Sequence, residues 1–279
     1  MILDLDIGNT LSKWRLKDSA SDAIMGRGAM WTHDEWRFGD DIPDPRHIEA
    51  IRISNVARHD VLEGTVALLE RRVDNIMVAR STAQAGGVRN GYDAPERLGV
   101  DRWLGLIAGH RLAGGCCTVD CGSAVTMDFV LPDGRHPGGY ILPGLRLMKE
   151  SLRLGTRSVA IDPEQEMGRL LAPGSNTADA VNHGVYVAAV SAIQRLYMEN
   201  CDRYGVALPM LVTGGDGAIV SRGLELPHAQ WPDMVYAGLE VLFPLTEGER
   251  RGVLAGMPAV VAPPSREAIE KALAFTYLL

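Results

Sequence analysis

Hydrophobic and polar positions alternate over residues 1–17, which predicts two short strands joined by a tight turn at residues 8–10. Further along, apolar residues recur at helical spacing over 61–73. The stretch at 47–57 ends in a predicted strand before that helix, and the stretch at 75–81 is a strand candidate after it. Strands that alternate with helices in this way predict an α/β fold.

One pattern occurs twice in the chain. The segments LDLDIGNTLSKWRLKDSA and CTVDCGSAVTMDFVLPDG both run from an apolar strand through Asp-x-Gly and a small polar residue into a second strand. Their acids, Asp6 and Asp120, fall near the starts of the two halves of the chain, which predicts two domains built on one plan. We place these domains at 1–114 and 115–244, followed by an extension at 245–279 to which the sequence assigns no role.

Three further segments are predicted to be helices. Residues 102–112 place Trp103, Leu104, Ile107 and Ala108 on one helical face. Segments 144–156 and 176–200 also have helical spacing. Asn176 is a suitable N-cap for the last of these, with Asp179 at the position of a capping partner.

Composition excludes several classes of protein. The chain has 279 residues, 46% of them hydrophobic and 23% charged, so a large core needs no metal or disulfide. A net charge of −7 argues against a nucleic-acid-binding surface. The four cysteines lack the CxxC spacing of a zinc site and are expected to be buried thiols. Without a leader pattern or an apolar run that could span a bilayer, we expect no membrane partner and a cytoplasmic location.

The first turn combines groups that suit a phosphate. A bend at Gly8 directs backbone N–H groups towards an anion, and Asn9 and Thr10 add side-chain donors. The carboxylate of Asp6 would repel a bare phosphate, but it becomes useful when Mg²⁺, which prefers oxygen ligands and keeps several waters, lies between them. The alternative is a hairpin that only carries polar residues.

Lys13 lies three residues beyond this turn. Strand alternation places it on the outward face together with Leu11 and Arg15, from where it would reach phosphate oxygens. The alternative for Lys13 is an ordinary solvated side chain.

The second turn, at 120–123, offers the same groups as the first. Two acidic glycine turns that face each other across a cleft would hold a metal-bound triphosphate from both sides. In the LVTGGDG segment, Gly214 and Gly215 would leave a flat backbone against an adenine or ribose. The alternative there is a strand-to-helix turn capped by Asp216.

The loop at 91–102 is the candidate acceptor site. Asp101 is placed just before a helix, where it would orient an acceptor hydroxyl and take its proton late in phosphoryl transfer. Arg102 would hold a substrate carboxylate, and Tyr92 would close the pocket. The alternatives are a plain N-cap, a surface charge and a packing residue.

The chain resembles the type III pantothenate kinases, a family that also contains the Bvg accessory factor-like proteins. The matching pieces occur in family order over about residues 1–243: DIGNTLSKWR, NGYDAPERLGVDRW, VDCGSAVTMDF, GGYILPGL, NTADAVNHG and TGGDG. The resemblance implies two ribonuclease-H-like domains of the actin and sugar-kinase superfamily with an ATP cleft between them. It also implies ATP-dependent phosphorylation of pantothenate, the first step of coenzyme A biosynthesis.

The resemblance further implies roles for single residues. The ATP phosphates would be held by Asp6, Ile7, Gly8, Asn9, Thr10, Leu11, Ser12 and Lys13, with Ser123 as a further contact. Pantothenate would be bound by Tyr92, Gly99, Val100, Asp101 and Arg102, with Asp101 as the proton acceptor.

The resemblance also implies an ion and a partner. Asp120 would bind a monovalent cation, K⁺ or NH₄⁺, rather than the Mg²⁺ that the turn alone suggests. Thr177 would touch pantothenate across a homodimer interface.

The sequence departs from the family pattern in two places, and two alternatives to the pantothenate kinase function stay open. Ser123 stands where the family often has threonine, which keeps the hydroxyl, and the extension from about residue 245 lies beyond the family pattern. The same fold would also serve a kinase of another small hydroxyl compound. A non-catalytic regulatory protein is the second alternative, against which the intact Asp101-Arg102 pair argues.

Overall fold

A computed structural model describes residues 1–34, 47–156, 172–254 and 256–270 of the chain. Strands and helices alternate as the apolar periodicity predicts. The strands are β1 (Ile2–Ile7), β2 (Leu11–Lys17), β3 (Ile24–Trp31), β4 (Ala50–Asn55), β5 (Ile76–Val78), β6 (Gln84–Ala85), β7 (Val88–Arg89), β8 (Cys116–Cys121), β9 (Ala124–Val130), β10 (Gly138–Pro143), β11 (Met210–Thr213) and β12 (His228–Gln230). The helices are α1 (His59–Leu69), α2 (Val100–Ala113), α3 (Leu145–Gly155), α4 (Thr177–Tyr204), α5 (Gly217–Ser221), α6 (Met234–Leu242) and α7 (Glu247–Arg251).

The chain forms two five-stranded sheets with the same strand order. The first runs β3-β2-β1-β4-β5, and the second runs β10-β9-β8-β11-β12. In each sheet, the central strand carries the acid of the Asp-x-Gly pattern. The central strand β1 is antiparallel to β2 and parallel to β4, and the central strand β8 is antiparallel to β9 and parallel to β11. This equivalence confirms the predicted duplication and the α/β fold.

The residues group into two compact units that do not follow the chain strictly. The first unit comprises Met1–Gly114, Pro132–Gly138 and Asp233–Met257, and the second comprises Gly115–Leu131, Gly139–Pro232 and Pro258–Leu279. Helices α6 and α7 therefore pack in the first unit. The domain limits given from the sequence stay a prediction.

Helix α2 is more deeply buried than its pattern predicts. Trp103, Leu104, Ile107 and Ala108 are fully buried as expected, but Leu106, outside that face, is also fully buried. The reason is that α2 packs against α6 as well as against β4 and β7. A helix that is covered on several sides loses the one-sided pattern from which burial is inferred.

The long helix α4 begins as the sequence predicts. Its N-cap is Asn176, whose side chain accepts a hydrogen bond from the backbone N–H of Asp179 at 2.9 Å. The Asn176 amide also donates to the Asp179 carboxylate at 2.7 Å. Within the described parts of the chain, no helix combines the length and apolar composition needed to cross a bilayer.

Candidate functional site

The β1–β2 turn is fixed by hydrogen bonds within the first unit. The Gly8 N–H donates to the Leu11 carbonyl at 3.1 Å, and the Thr32 hydroxyl donates to the Gly8 carbonyl at 2.7 Å. The hydroxyls of Ser12 and Thr32 lie 3.1 Å apart. The Gly8 N–H is thus engaged inside the turn, and the prediction that backbone N–H groups of this turn face an anion stays a prediction for its other residues. A phosphate here would depend on other donors of the segment.

Asp6 and Lys13 lie opposite each other in the antiparallel pairing of β1 with β2, so a carboxylate and an ammonium stand at the base of the turn. Burial and, to a smaller extent, the charge of Asp101 raise the pKa of Asp6 to about 6, against the opposing effect of Lys13. The structure therefore brings the predicted phosphate-binding acid near the predicted proton acceptor.

Several buried polar atoms around Asp6 are unsatisfied. Asp6 Oδ1, Ser54 Oγ and Asn55 Oδ1 are buried without a hydrogen-bond partner among the described residues. The Ser54 hydroxyl lies close enough to stabilise the Asp6 charge, although the geometry of a hydrogen bond is not met. These atoms lie at the carboxyl ends of β1 and β4, which is where open α/β sheets bind ligands. Unsatisfied buried oxygens at such a place fit a hydrated cation or a substrate hydroxyl.

Asp101 and Arg102 lie in the first turn of α2. The helix begins at Val100 with Gly99 as N-cap, so the prediction that Asp101 precedes the helix is wrong. Because glycine has no side chain that can cap a helix, no side-chain capping pattern marks this boundary. Asp101 Oδ1 accepts a hydrogen bond from the Arg102 N–H at 2.7 Å.

Tyr92 and Arg102 are in direct contact. Arg102 Nη1 donates to the Tyr92 hydroxyl at 2.9 Å, and the guanidinium carbon lies 5.6 Å from the ring centroid. Only 7% of Arg102 is exposed. The predicted acceptor-site residues Tyr92, Gly99, Val100, Asp101 and Arg102 thus form one cluster in the first unit.

In the second unit, the Asp120 turn adjoins the predicted adenosine segment. Asp120 lies opposite Thr213 in the parallel pairing of β8 with β11. Gly214 has a φ of +92°, and a Cβ there would lie 2.5 Å from Asp120 Oδ1 and closer still to the Cys121 carbonyl oxygen. Burial raises the pKa of the Cys121 thiol, as do the charges of Asp120 and Asp216. Two carboxylates therefore lie close to the backbone of this bend.

Other predicted residues of the second unit fall around the same bend or on a separate groove. The Ser123 carbonyl accepts a hydrogen bond from the Gly144 N–H at 3.1 Å, which fixes the turn. A Cβ added at Gly215 would meet no atom within 4 Å. Thr177 is the first residue of α4 and lines a groove of about 770 Å³ between α3 and α4. Thr177 is thus on the groove, whereas Asp120 is not among its lining residues.

A buried ion network in the first unit was not predicted. It joins three cations, Arg15, Lys17 and Arg52, to four anions, Asp4, Asp233, Glu240 and Glu249. Arg15 is fully buried, so the prediction that it faces outward with Lys13 is wrong. Glu249 Oε1 accepts from Lys17 Nζ at 2.7 Å and from Arg52 Nη1 at 3.0 Å, which ties residues beyond 245 to the first sheet.

The amino-acid sequence contains one indication of this ion network, namely charged residues within otherwise apolar strands. Asp4 in ILDLDI and Arg52 in AIRISN interrupt runs that are buried on both sides. Buried charges require partners, so a charge in such a run predicts an opposite charge packed against it. The partner in α7 lies almost 200 residues from Arg52 and had no local signal.

Among the described residues, no group of three or more His, Cys, Asp or Glu side chains is arranged to hold a metal ion. All four cysteines are buried free thiols. A cation at Asp6 or Asp120 would therefore be completed by water, phosphate or backbone oxygens.

Comparison with known proteins decides the family. The sequence model of the type III pantothenate kinases matches residues 2–199. The chain belongs to the type III pantothenate kinase family. A type III pantothenate kinase of Chromohalobacter salexigens is 66% identical over the whole of both chains. One of Pseudomonas aeruginosa is 38% identical over 251 residues, which cover 88% of this chain and 100% of that relative.

A solved structure agrees with the fold of the pantothenate kinase family. It is a Campylobacter jejuni protein described as a Baf family transcriptional activator, with a TM-score of 0.52 and 19% identity. The match covers 85% of this chain and 95% of that chain. At this identity the likeness shows the fold alone. Together with the two equivalent sheets, it agrees with the predicted α/β fold of two domains built on one plan.

Proposed function

We propose that this chain transfers the γ-phosphoryl group of ATP to the terminal hydroxyl of pantothenate at the Asp6–Asp101 centre of the first unit. As a member of its family, the chain is an ATP-dependent pantothenate kinase of coenzyme A biosynthesis. The observation that carries the assignment of the centre is the pairing of Asp6 with Lys13 across β1 and β2, together with the charge interaction of Asp6 with Asp101.

The proposed reaction uses the side chains in distinct roles. The pantothenate oxygen attacks the γ-phosphorus, the bond from that phosphorus to the β–γ bridging oxygen breaks, and ADP leaves. Asp101 orients the hydroxyl and accepts its proton late, as suits a loose transition state. Lys13 offsets charge on the phosphate oxygens.

Arg102 and Tyr92 would bind the other end of the acceptor. A guanidinium pairs well with a carboxylate through two parallel hydrogen bonds, and pantothenate carries one carboxylate. The Tyr92 hydroxyl already holds one side of this guanidinium. Gly99 and Val100, which precede Asp101, would contact the acceptor through the backbone.

ATP and a divalent cation follow from the kinase family, and Asp6 is the residue of this chain that suits the cation. Its buried Oδ1 lacks a partner among the described residues, so a water of hydrated Mg²⁺ would satisfy it. When bound, Mg²⁺ neutralises charge on the phosphates. Ile7 to Ser12 would surround the phosphates, and Ser123, Gly214 and Gly215 would contact the rest of ATP from the second unit.

We assign the monovalent cation, K⁺ or NH₄⁺, to Asp120. The donor set supports this: the Asp120 carboxylate lies against the backbone bend at Gly214, where oxygen atoms are the available ligands. The strand residue opposite Asp120 is Thr126, which carries no competing positive charge. At ATP concentrations below its KM, activity should then depend on K⁺ or NH₄⁺ and be low in a bulky organic cation.

A homodimer is supported by the groove between α3 and α4. It is lined by apolar side chains such as Leu152, Val181 and Val185 as well as by Thr177, and Leu147 and Leu154 of α3 are more than half exposed. Monomeric proteins rarely expose a contiguous patch of this kind. A second copy that covers it would bring Thr177 to the partner's substrate. Leu152→Asp should lower the mass measured by light scattering to that of a monomer, whereas Met25→Asp, at an exposed site of the other unit, should not.

The experiment that tests the function uses purified chain with Mg²⁺, K⁺ and ATP. With pantothenate, we expect phosphopantothenate and ADP in equal amounts by mass spectrometry. A panel of other small hydroxyl compounds distinguishes a kinase with another acceptor. ATP binding without product from any acceptor would support the regulatory alternative. A cytoplasmic location stays a prediction.

A further inference from the structure

His136 is a fully buried histidine that lies under the candidate acceptor site. It belongs to Pro132–Gly138, the segment between β9 and β10 that packs in the first unit. Its ring stacks on that of Tyr92 with 6.0 Å between centroids and 15° between planes. The family roles considered above use Tyr92 and Arg102 and leave His136 unassigned.

The backbone of this segment holds the histidine in place. The His136 N–H donates to the Arg89 carbonyl at 2.9 Å, and the Arg89 N–H donates to the Gly134 carbonyl at 2.8 Å. Gly91 lies so close to the His136 carbonyl oxygen that a Cβ at position 91 would overlap it. The Gly91 N–H also donates to His136 Nδ1 at 3.4 Å. The ring is therefore fixed against the segment that carries Tyr92.

The stack continues to the buried guanidinium. One face of Tyr92 is covered by His136, and its hydroxyl accepts the 2.9 Å hydrogen bond from Arg102. A tyrosine ring that lost the histidine would rotate more freely about its side-chain bonds, and its hydroxyl would leave Arg102. Stacked aromatic pairs resist that rotation because they gain energy beyond simple burial.

We propose that His136 is a positioning residue that fixes Tyr92, and through it Arg102, for the carboxylate of the acceptor. The proposal rests on the assignment of Tyr92 and Arg102 to acceptor binding. It makes the β9–β10 segment a specificity-determining part of the site. His136 does not touch the reacting atoms in this account.

A double-mutant cycle with Tyr92 tests the proposal. His136→Ala should raise the KM for pantothenate about tenfold, which is about 1.4 kcal/mol, and leave the KM for ATP unchanged. His136→Phe keeps a flat ring and should stay within about threefold of the wild type. In a Tyr92→Ala background, His136→Ala should have almost no further effect on that KM, since residues that act through one another are not additive.

His110→Ala is the matched control. His110 packs beside Gly87 and Gly134 of the same region, and no ring contact joins it to Tyr92 in the described structure. It should lower the melting temperature without a selective change in the KM for pantothenate. Additive effects of His136→Ala and Tyr92→Ala, or equal rises of both KM values, would overturn the positioning role. A wild-type chain that does not phosphorylate pantothenate would instead overturn the proposed function.

Discussion

The two Asp-x-Gly turns occupy equivalent places in equivalent sheets, yet their surroundings differ in charge. Asp6 is the penultimate residue of a strand that also contains Asp4, and the facing strand supplies Lys13, Arg15 and Lys17. Asp120 is the penultimate residue of a strand whose other residues are three cysteines, a valine and a threonine. Opposite Asp120 stands Thr126, where the first sheet has Lys13 opposite its acid.

This difference indicates a division of roles between the turns. The first turn has a lysine and a second carboxylate nearby, so it suits charged phosphates and proton acceptance. The second turn has an uncharged threonine as the strand residue opposite its acid, which suits a weakly held monovalent ion and the rest of the nucleotide. The shared topology of the two sheets thus places the two acids at equivalent positions, whereas the neighbouring side chains determine the chemistry of each turn.

The largest expected effect on activity comes from Asp101→Asn. The variant keeps the size of the side chain but removes the proton acceptor, so kcat should fall by about 10²- to 10⁴-fold. ATP affinity, measured by calorimetry, should change little. A kcat within about threefold of the wild type would mean that another group takes the proton.

The buried ion network gives the largest expected effect on stability. Glu249→Gln removes one buried negative charge beside Lys17 and Arg52, which should lower the free energy of unfolding by about 3–5 kcal/mol. Glu247→Gln, on the same helix, weakens exposed pairs with Arg250 and Arg251 and should cost less than about 1 kcal/mol. Urea denaturation of both variants measures the difference. Equal effects would mean that the network adds nothing to the stability of the first unit.

The pH dependence of stability should report Asp6. Its pKa is raised by burial and by Asp101 to about 6, from an ordinary value of 3.8, so the folded chain binds the proton more tightly than the unfolded chain. Stability from this group is therefore present below pH 4 and is lost as pH rises towards 6. The loss corresponds to about 3 kcal/mol.

Asp6→Asn removes this titration. The unfolding free energy of the wild type relative to Asp6→Asn should fall between pH 4 and pH 7, measured without ligands. Asp18→Asn serves as the control, because the pKa of the Asp18 carboxyl is lowered by hydrogen bonds from Ser21. A relative stability of the wild type that rises with pH would show that Asp6 is ionised in the fold at lower pH than stated.

The smallest of these effects concerns the second turn. Gly214→Ala places a methyl group against Asp120 and strains a backbone with positive φ, which should cost about 1–3 kcal/mol of stability and weaken ATP binding. Gly215→Ala meets no atom within 4 Å and should be tolerated. Thermal melts with and without ATP distinguish the two. Equal melts would mean that the bend at Gly214 relaxes without disturbing Asp120.

The sequence predicted the features that depend on local patterns. The duplicated strand-turn-strand units, the N-cap at Asn176 and the fold are confirmed. The grouping of Tyr92 with Arg102 could be predicted from the sequence, because only ten residues separate them and one family motif contains both.

Features that depend on long-range packing were not predictable in the same way. Arg15 lies on a strand face that alternation assigns to solvent, but α6 covers that face and brings Glu240 to it. Its partners Asp233 and Glu240 lie more than 200 residues away in the chain. The start of α2 was misplaced for a different reason, since Gly99 carries no capping side chain.

The division of roles is tested most directly by an ATP titration of Asp120→Asn at saturating pantothenate, with and without K⁺. We predict a rise of about tenfold or more in the KM for ATP, a kcat within about threefold of the wild type, and loss of the response to K⁺. A fall in kcat as large as that of Asp101→Asn, with an unchanged KM for ATP and an intact K⁺ response, would contradict it.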